Sequence, residues 1–413
     1  MFLKGSSQIL VCGKDRDGWE NVALGEICEK RSELVQPSQD GKTAFVGLEH
    51  IDSGKMKPRE HASDTHLTST KFKFYPNDIL YGKLRPYLDK AAKVDFSGIC
   101  STDLLVLSCR ENVVTEFLLY IIHSKKFVRH AITTTSGTNH PRTSWDDISR
   151  FEFGLPPISE QKAIVGVLGV VDSAIELADR VIARTERLKK GLMQQLLTRG
   201  IGHTEYKDTP IGKIPAKWQT MKLRDVLELC QYGLSVKFGN KGKYRILKMD
   251  DIENGVAFPD NAKYVDLDEK TFTHFQLEKG DILFNRTNSY ELVGRTGIFT
   301  LDGDYTFASY LIRLRPKKEL VDPQFLTFYL IYSNDRLRQL ATRAVHQANI
   351  NATNLQSFTI IIPSLSEQKK AAEIIVTLDR KLELERNEKA KLESIKQGLM
   401  DLLLTGKVRI KVD

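Results

Sequence analysis

The sequence predicts an α+β protein in which two similar globular domains alternate with two long helices that pack as an antiparallel coiled coil. Three observations support this fold class. At 413 residues the chain is too long for one compact core, one long segment occurs twice, and the rest mixes short β-prone runs with helical patterns. The predicted globular domains are residues 1–158 and 201–365, and the predicted helical spacers are residues 159–200 and 366–413.

The repeated segment is the strongest signal in the sequence. Residues 159–198 align without a gap with residues 366–405. Both copies follow a proline, begin with Ser-Glu-Gln-Lys and end with Gly-Leu-Met-x-x-Leu-Leu-Thr. Ser159 and Ser366 are predicted N-caps. Forty helical residues extend about 60 Å and have no core of their own, so two copies in one chain predict an antiparallel intramolecular pair and a pseudo-twofold internal repeat.

Apolar residues recur at steps of three and four along both copies, which predicts one packed face on an otherwise charged helix. Gly191 and Gly398 interrupt each helix at a cost of about 1 kcal/mol relative to Ala. We expect close approach there by the other helix or by a second subunit, or else a tolerated kink. The residues predicted to pack the helices or to dock a subunit are Leu168, Val171, Ile175, Ile182, Leu188, Gly191, Leu192, Leu196, Ile375, Leu378, Leu382, Leu392, Gly398 and Leu399.

The two globular halves repeat each other more weakly. Trp19 corresponds to Trp218, and Asp78-Ile-Leu corresponds to Asp281-Ile-Leu. The two aspartates are predicted turn or capping residues rather than base readers. Strands are predicted at residues 71–75, 103–107, 281–284 and 310–314, and helices from 115 to about 132 and from 323 to about 342. Residues 201–218 read as a Gly/Pro-punctuated connector. The irregular alternation favours α+β over a doubly wound sheet.

No catalytic motif is found in the sequence. It lacks a phosphate-binding P-loop, the glycine motif and the Asn-Pro-Pro-aromatic motif of an adenine methyltransferase, a Gly-x-Ser-x-Gly elbow and a His-Glu-x-x-His motif. The nine histidines are scattered, so no metal site is predicted. Glu160-Gln-Lys and Glu367-Gln-Lys match half of a nuclease signature. The first turn of a helix explains these glutamates better, through the helix dipole.

Composition points to a cytoplasmic protein. Five cysteines form no Cys-x-x-Cys pair, which fits a reducing compartment. No signal peptide is recognisable, and the longest apolar run, residues 164–171, is too short to cross a membrane. A net charge of +8 permits an anionic partner but only weakly supports nucleic-acid binding. Two similar domains without catalytic residues therefore predict a recognition protein that displays two related binding surfaces.

The Ser-Glu-Gln-Lys opening, the Gly-Leu-Met close, the tryptophan at the start of each half and the Asp-Ile-Leu runs each occur twice, in the same order. Together they resemble the specificity subunit of type I restriction–modification enzymes, over nearly the whole chain. The resemblance implies that each globular half is a target recognition domain reading one half of an interrupted, asymmetric DNA site. It also implies that the two helices, which are conserved in that family, set the gap and dock methyltransferase (modification) subunits, typically two.

The same resemblance implies that this chain is not an enzyme and binds no cofactor. S-adenosylmethionine is expected on the methyltransferase subunits, and ATP and Mg²⁺ are expected on partner subunits, including the restriction subunits that join the complex. Double-stranded DNA is the expected ligand, and no membrane is involved. If the two domains approach one face of the duplex, half-site centres should lie about 10 bp apart, leaving a gap of about 6 bp.

Candidate DNA contacts are polar, basic and aromatic residues in Gly/Asn-rich stretches, because Arg and Lys can bond guanine, Asn and Gln can bond adenine, and all of them can bind phosphate. The candidates are Lys83, Arg85, Tyr87, Asn139, His140, Arg142, Lys237, Asn240, Lys241, Lys243, Arg286, Asn288, Tyr290, His346, Gln347 and Asn349. Two alternative functions stay open: a protein-binding coiled-coil scaffold without DNA readout, and a self-contained DNA methyltransferase or nuclease.

Overall fold

A computed structural model describes residues 9–10, 18–259, 261–344 and 347–411. The chain forms two compact units. The first comprises residues 1–179 and 387–413, and the second comprises residues 180–386. Each unit therefore contains one mixed domain together with one segment from each long helix. The predicted α+β fold class, with its internal repeat, is confirmed.

The first unit is built mainly on two sheets. In the four-stranded sheet the order is Cys28–Arg31, Leu104–Cys109, Ile79–Gly82, Ala91–Lys93. In the five-stranded sheet the order is Leu34–Val35, Lys71–Phe74, Gly98–Cys100, Ala44–Val46, Ala62–Ser63. Two short pairs complete the strands: Glu20–Ala23 with Glu152–Leu155, and Ile9–Leu10 with Arg409–Ile410. The helices are Leu24–Ile27, Thr115–Ile122, Lys125–Thr133 and Trp145–Ile148, with 3₁₀ turns at Leu48–His50 and Pro86–Leu88.

The second unit repeats this plan with additions. Its six-stranded sheet has the order Leu227–Tyr232, Leu311–Pro316, Ile282–Asn285, Thr296–Phe299, Val256–Ala257, Ile252–Glu253. Two three-stranded sheets contain Lys263–Val265, Tyr244–Leu247, Tyr305–Phe307 and Thr287–Asn288, Gln347–Asn349, Thr342–Ala344. Two further antiparallel pairs are the hairpin Tyr206–Thr209 with Gly212–Pro215 and the long-range pair Gln219–Lys222 with Thr359–Ile362. The helices are Glu269–Phe275, Pro323–Tyr332, Asn334–Arg338 and Ala352–Gln356, with 3₁₀ turns at Leu223–Val226 and Met249–Asp251.

The Asp-Ile-Leu strand occupies the same place in both units. Ile79–Gly82 pairs with Leu104–Cys109 in the first unit, and Ile282–Asn285 pairs with Leu311–Pro316 in the second. The aspartate before each strand closes a turn, as predicted: Asp78 accepts a hydrogen bond from Tyr75 N, and Asp281 accepts one from Glu278 N, both at 2.9 Å. The strand therefore starts and pairs alike in the two units.

Three local expectations were wrong in detail. The long helices begin at Ile158 and Leu365, so Ser159 and Ser366 lie inside the first turn and are not N-caps. Ser364 caps the second of them by accepting a hydrogen bond from Glu367 N at 3.3 Å.

Each of the two shorter predicted helices is a pair of helices, broken at Ser124 and Ser333. Ser124 explains the first break, because its hydroxyl caps the second helix by accepting a hydrogen bond from Phe127 N. The supposed connector, residues 201–218, contains the strand pair Tyr206–Thr209 and Gly212–Pro215, since the Gly/Pro punctuation marks a tight turn as readily as a linker.

The long helices run from Ile158 to Thr198 and from Leu365 to Leu403. Within each unit their segments pack antiparallel. Buried residues of both helices, among them Ile164, Leu168, Met400 and Leu403, belong to the core of the first unit. In the second unit Leu196, Leu197, Ala371, Ala372 and Ile375 join the core around Trp218. Each mixed domain therefore packs against the first part of one long helix and the last part of the other.

Charged pairs connect the helices where the apolar contacts end. In the first unit Asp172 pairs with Lys396 at 2.7 Å and Asp179 pairs with Lys389 at 2.6 Å. In the second unit Lys189 pairs with Asp379. Asp172 and Asp379 are equivalent positions of the repeat, as are Lys189 and Lys396. The same aspartate–lysine pair thus recurs in both units, and sequence periodicity did not predict it because both partners are charged.

Most predicted helix-packing residues are covered in the structure. Leu168, Ile175, Leu196, Ile375 and Leu382 are buried, and Val171, Ile182, Leu192, Leu378, Leu392 and Leu399 are partly buried. The prediction for Leu188 as a helix-packing residue was wrong, because that side chain is 52% exposed. Thr185 and Lys189 face the other helix instead. Close helix approach at the glycines was also wrong: a Cβ at Gly191 or Gly398 would meet no atom within 4 Å.

A buried glutamine joins each long helix to its mixed domain. Gln161 Oε1 accepts from Val114 N at 2.8 Å, while its Nε2 donates to the carbonyls of Asn112 and Pro156. Gln368 repeats the pattern with Asp322 N, at 2.8 Å, and the carbonyls of Leu320 and Pro363. Three backbone groups per unit are thereby satisfied by one side chain.

The glutamate before each glutamine holds a tryptophan and a segment that follows a long helix. Trp19 Nε1 donates to Glu160 at 3.0 Å, and Arg409 donates two hydrogen bonds to the same carboxylate, each 2.9 Å long. In the second unit Trp218 Nε1 donates to Glu367 at 2.9 Å, and His203 Nε2 lies 2.8 Å from that carboxylate. These contacts explain the Glu-Gln pair, so a nuclease role for Glu160 and Glu367 is unnecessary.

We predict that Gln161→Ala lowers the free energy of unfolding by about 1–3 kcal/mol, because one buried and two partly buried hydrogen bonds to the backbone are lost. Urea unfolding followed by tryptophan fluorescence measures the change. Gln194→Ala, at an exposed position of the same helix, is the matched control and should change the free energy by less than about 0.5 kcal/mol. Equal stability of the two variants would contradict the assignment.

Glu160 should also make the first unit sensitive to acid. Burial alone would raise the pKa of Glu160, but the hydrogen bonds and charge of Arg409, with the Trp19 and Ile410 N–H groups, lower it below the ordinary 4.5. Because the folded state holds the lowered pKa, this stabilisation is present above about pH 4.5 and is lost as pH falls through the folded-state value.

We predict that the difference in unfolding free energy between wild type and Glu160→Gln is constant at neutral pH and shrinks as the solution becomes more acidic than about pH 4.5. Urea unfolding over a pH series gives this difference. Glu176→Gln, which alters an exposed carboxylate on the same helix, should show no such trend. A pH-independent effect of Glu160→Gln would exclude the proposed ion pair as its cause.

Candidate nucleic-acid interface

In the first unit the structure brings two predicted clusters together. Lys83 follows the strand Ile79–Gly82, and its carbonyl accepts from Thr143 N at 3.1 Å. Arg85 N donates to the Pro141 carbonyl at 2.7 Å. The stretches that contain Lys83 and Arg142 are far apart in sequence but lie side by side in space. One surface therefore carries Lys83, Arg85, Tyr87, Asn139, His140 and Arg142.

The second of these stretches is a closed loop. Ser136 and Arg142 exchange two backbone hydrogen bonds of 2.9 and 3.0 Å, and Gly137 adopts a positive φ of 91° inside the loop. Asn139 and His140 are consequently exposed at its tip. The backbone of Arg142 is fixed on both sides, because it also bridges to Leu84.

The first stretch has an uncommon backbone. Arg85 and Asp89 both have left-handed φ values, 53° and 47°, on either side of the 3₁₀ turn Pro86–Leu88. Non-glycine residues seldom adopt this conformation, and clusters of such residues are typical of functional sites. The result is that Arg85 and Tyr87 project from the surface, with Tyr87 54% exposed.

The second unit repeats the backbone hydrogen bonds that hold these two stretches together, here called the loop frame, but it carries different side chains on them. Arg286 N donates to Tyr310 O at 3.0 Å and Ile350 N donates to Arg286 O at 2.8 Å. In the first unit Lys83 N donates to Asp103 O at 3.0 Å in the same manner. Arg286 is thus the counterpart of Lys83, and the segment Gln347–Asn349 is the counterpart of the end of the first unit's loop.

The Arg286 side chain is held in place by its neighbours. Its guanidinium donates to Ser309 O at 3.3 Å, lies 3.5 Å from Asn349 Oδ1 and stacks 4.8 Å from the centroid of the Tyr232 ring. Asn349 Nδ2 donates to Thr287 Oγ1 at 2.7 Å. These bonds orient an amide and a guanidinium side by side on a partly exposed surface.

The other candidates of the second unit are more dispersed. Lys237, Asn240, Lys241 and Lys243 are exposed in one loop, which is tied to residues 263–266 through Lys263 to Asn240 and through Lys243 N to Asp266. A hydrogen bond with Tyr244 raises the pKa of Lys243. Asn288 bonds the following backbone N–H, Tyr290 lies near the Arg338 guanidinium, and Gln347 is exposed. His346 lies outside the described residues.

The candidate list omitted several residues that the structure uses. Asp103 accepts a 3.1 Å hydrogen bond from Arg142 Nε and forms an ion pair with that exposed guanidinium. Glu160 and Glu367 were explained only by the helix dipole, and Gln161 and Gln368, which join the helices to the domains, were given no role. Their identity in both copies was the signal that could have revealed them.

Metal-binding clusters and membrane-spanning helices are both absent from the described residues. Within the described ranges, no group of three or more His, Cys, Asp or Glu side chains could hold a metal ion. No helix in the described part of the chain is both long and apolar enough to cross a bilayer. Duplicated domains with exposed basic and amide-bearing loops are typical of recognition proteins that carry two similar binding domains.

Similarity to known proteins identifies the family within this class. The family model described as the type I restriction modification DNA specificity domain matches residues 16–187 and 215–394. The chain therefore belongs to this family and carries two copies of its domain. The resemblance drawn from the repeated motifs is confirmed, and so is a non-catalytic DNA-specificity role. The scaffold and self-contained enzyme alternatives find no support among the similar proteins.

Relatives and solved structures agree with this assignment over most of the chain. The MjaVIII specificity subunit of Methanocaldococcus jannaschii is 28% identical, over 96% of this chain and 94% of that protein. The EcoKI specificity subunit of Escherichia coli is 21% identical, over 88% and 82%. A chain from a type I R-M system has the same fold, with a TM-score of 0.61 at 20% identity over 95% and 99%. The S subunit of M. genitalium gives 0.54 at 16% identity over 97% and 98%.

Proposed function

We propose that the chain is the specificity subunit of a type I restriction–modification complex, in which each unit reads one half of an interrupted DNA site. The observation that supports the proposed DNA recognition is that both units have the same loop frame but carry different side chains on it. The frame presents Lys83 and Arg142 in the first unit and Arg286 and Asn349 in the second. Similar frames fit the same duplex surface, whereas different side chains recognise different bases, so the site is asymmetric.

The candidate residues divide into two roles. Exposed cations without a fixed orientation, such as Arg85, Lys237 and Lys241, suit phosphate contacts, which add affinity that falls with salt. Side chains held by hydrogen bonds, such as Arg142 and Asn349, suit base edges, because their direction is set before binding. Half-site centres about 10 bp apart would leave a gap of about 6 bp that neither unit reads.

The partners proposed for the chain follow from its exposed helix faces. Leu177 and its repeat Leu384 are 55% and 69% exposed, and Leu188 and its repeat Ile395 are 52% and 51% exposed. Apolar residues exposed at equivalent positions of both helices suit one kind of subunit bound twice. We propose that these are two methyltransferase subunits, which bind S-adenosylmethionine, and that restriction subunits using ATP and Mg²⁺ join the complex in the cytoplasm.

Gly191 and Gly398 lie one helical turn after Leu188 and Ile395 and are open to solvent. We predict that Gly191→Trp weakens co-purification with the methyltransferase subunit about tenfold or more, because the large ring blocks close approach there. Gly191→Ala should increase helix stability by about 1 kcal/mol and leave assembly nearly intact. Normal assembly of the Gly191→Trp and Gly398→Trp chains would show that the glycines are not docking points.

The test of the proposed function is methylation in the host. We predict that co-expression with the neighbouring methyltransferase subunit marks a two-part asymmetric motif with one N6-methyladenine on each strand, detectable by single-molecule sequencing. Exchange of residues 201–365 for another such domain should change only one half of the motif. A contiguous palindrome, or no methylation by a soluble assembled complex, would contradict the proposal.

A further inference from the structure

Two hydrogen-bond acceptors of the first unit orient the Arg142 side chain. Its Nε donates to Asp103 Oδ1 at 3.1 Å and its Nη1 lies 3.5 Å from the His140 carbonyl. The side chain is nonetheless 44% exposed, and Asp103 is 31% exposed. The guanidinium is therefore oriented by the protein while its outer edge stays accessible to a ligand. Less side-chain entropy is lost when such a group binds.

A donor count shows what the free edge can recognise. An arginine has five N–H donors, and the two contacts of Arg142 occupy one at Nε and one at Nη1. Both N–H groups of Nη2 and one of Nη1 remain. Two of these three N–H groups suffice for the two acceptors, O6 and N7, that guanine presents in the major groove.

Asp103 also favours a base over a phosphate as the ligand of Arg142. Its negative charge offsets that of the guanidinium and would repel a phosphate brought to the same place. Arg85, on the same surface, is different: within the described part of the chain its side chain has no hydrogen bond or ion pair. Arg85 thus suits the DNA backbone, whereas Arg142 suits a neutral base edge that supplies only acceptors.

We infer that Arg142, oriented by Asp103, reads a guanine in the half-site bound by the first unit. This inference rests on the proposed function and adds the identity of one base. The equivalent position of the second unit is Asn349, whose amide bonds Thr287 and lies beside Arg286. That unit presents an amide where the first presents a guanidinium. A guanine in one half-site therefore imposes no guanine at the matching place of the other.

The experiment compares methylation motifs of variant complexes. Wild type, Arg142→Ala, Arg142→Lys and Asp103→Asn chains are each co-expressed with the methyltransferase subunit, and N6-methyladenine is mapped in host DNA. Arg142→Ala should relax one G·C position and reduce its preference about 5- to 150-fold. Arg142→Lys should keep part of that preference. Arg110→Ala is the matched control, because Arg110 is an exposed arginine of the same unit near a carboxylate, Glu29.

Asp103 acts as a positioning residue, so its variant needs a second readout. Asp103→Asn should reduce discrimination at the same position by less than Arg142→Ala does. It should also raise the affinity of the complex for unrelated DNA at low salt, since the guanidinium is no longer offset. Fluorescence anisotropy over a salt series measures this. Unchanged unrelated-DNA affinity together with unchanged discrimination would exclude the positioning role.

The results separate this inference from the proposed function. A single G·C position relaxed in the half that survives exchange of residues 201–365 supports it. A wild-type motif without G·C in that half overturns it, as does a motif that stays equally narrow in Arg142→Ala or relaxes in the other half. No two-part motif from the wild-type complex would overturn the proposed function, and the guanine assignment with it.

Discussion

The join between each mixed domain and its long helix is the constraint on which the rest of the structure depends. A buried glutamine satisfies three backbone groups of the domain, and the glutamate before it binds the indole of a tryptophan. In the first unit the carboxylate of Glu160 also accepts a hydrogen bond from Arg409, and in the second unit that of Glu367 lies beside His203. Because leaving these backbone groups without partners would be costly, the contacts oppose a change in the angle between helix and domain within each unit.

Much of the fold could be predicted because the sequence contains an internal repeat. Periodicity located the first long helix and the start of the second to within a few residues, and the repeated motifs identified the family. The predicted second spacer, residues 366–413, was too long, because the helix ends at Leu403 and Arg409–Ile410 form a strand. Periodicity could not decide between two apolar faces of one helix, so Leu188 was placed inside although Thr185 faces the partner segment. The ion pair of Asp172 with Lys396 was missed for a related reason: charged residues in a seam look like surface residues in a sequence.

The candidate interface was predicted residue by residue but not as a surface. Lys83 and Arg142 were chosen for their chemistry, whereas the backbone bonds that bring them together depend on pairing between distant segments, which local patterns do not encode. The frame is made by main-chain groups, and every residue type except proline supplies both of them. Side chains on the frame can therefore differ between Arg142 and Asn349 without a change in the loops that carry them.

The first unit takes residues 387–413 from the far end of the chain. During synthesis, Ile164 and Leu168 leave the ribosome long before Met400 and Leu403, the residues that complete their core. The apolar surface around Ile164 and Leu168 therefore lacks these contacts while the second domain is translated. The core of this unit is complete only after the last turns of the second long helix have been synthesised, so a chain that ended before Met400 would leave Ile164 and Leu168 without these packing partners.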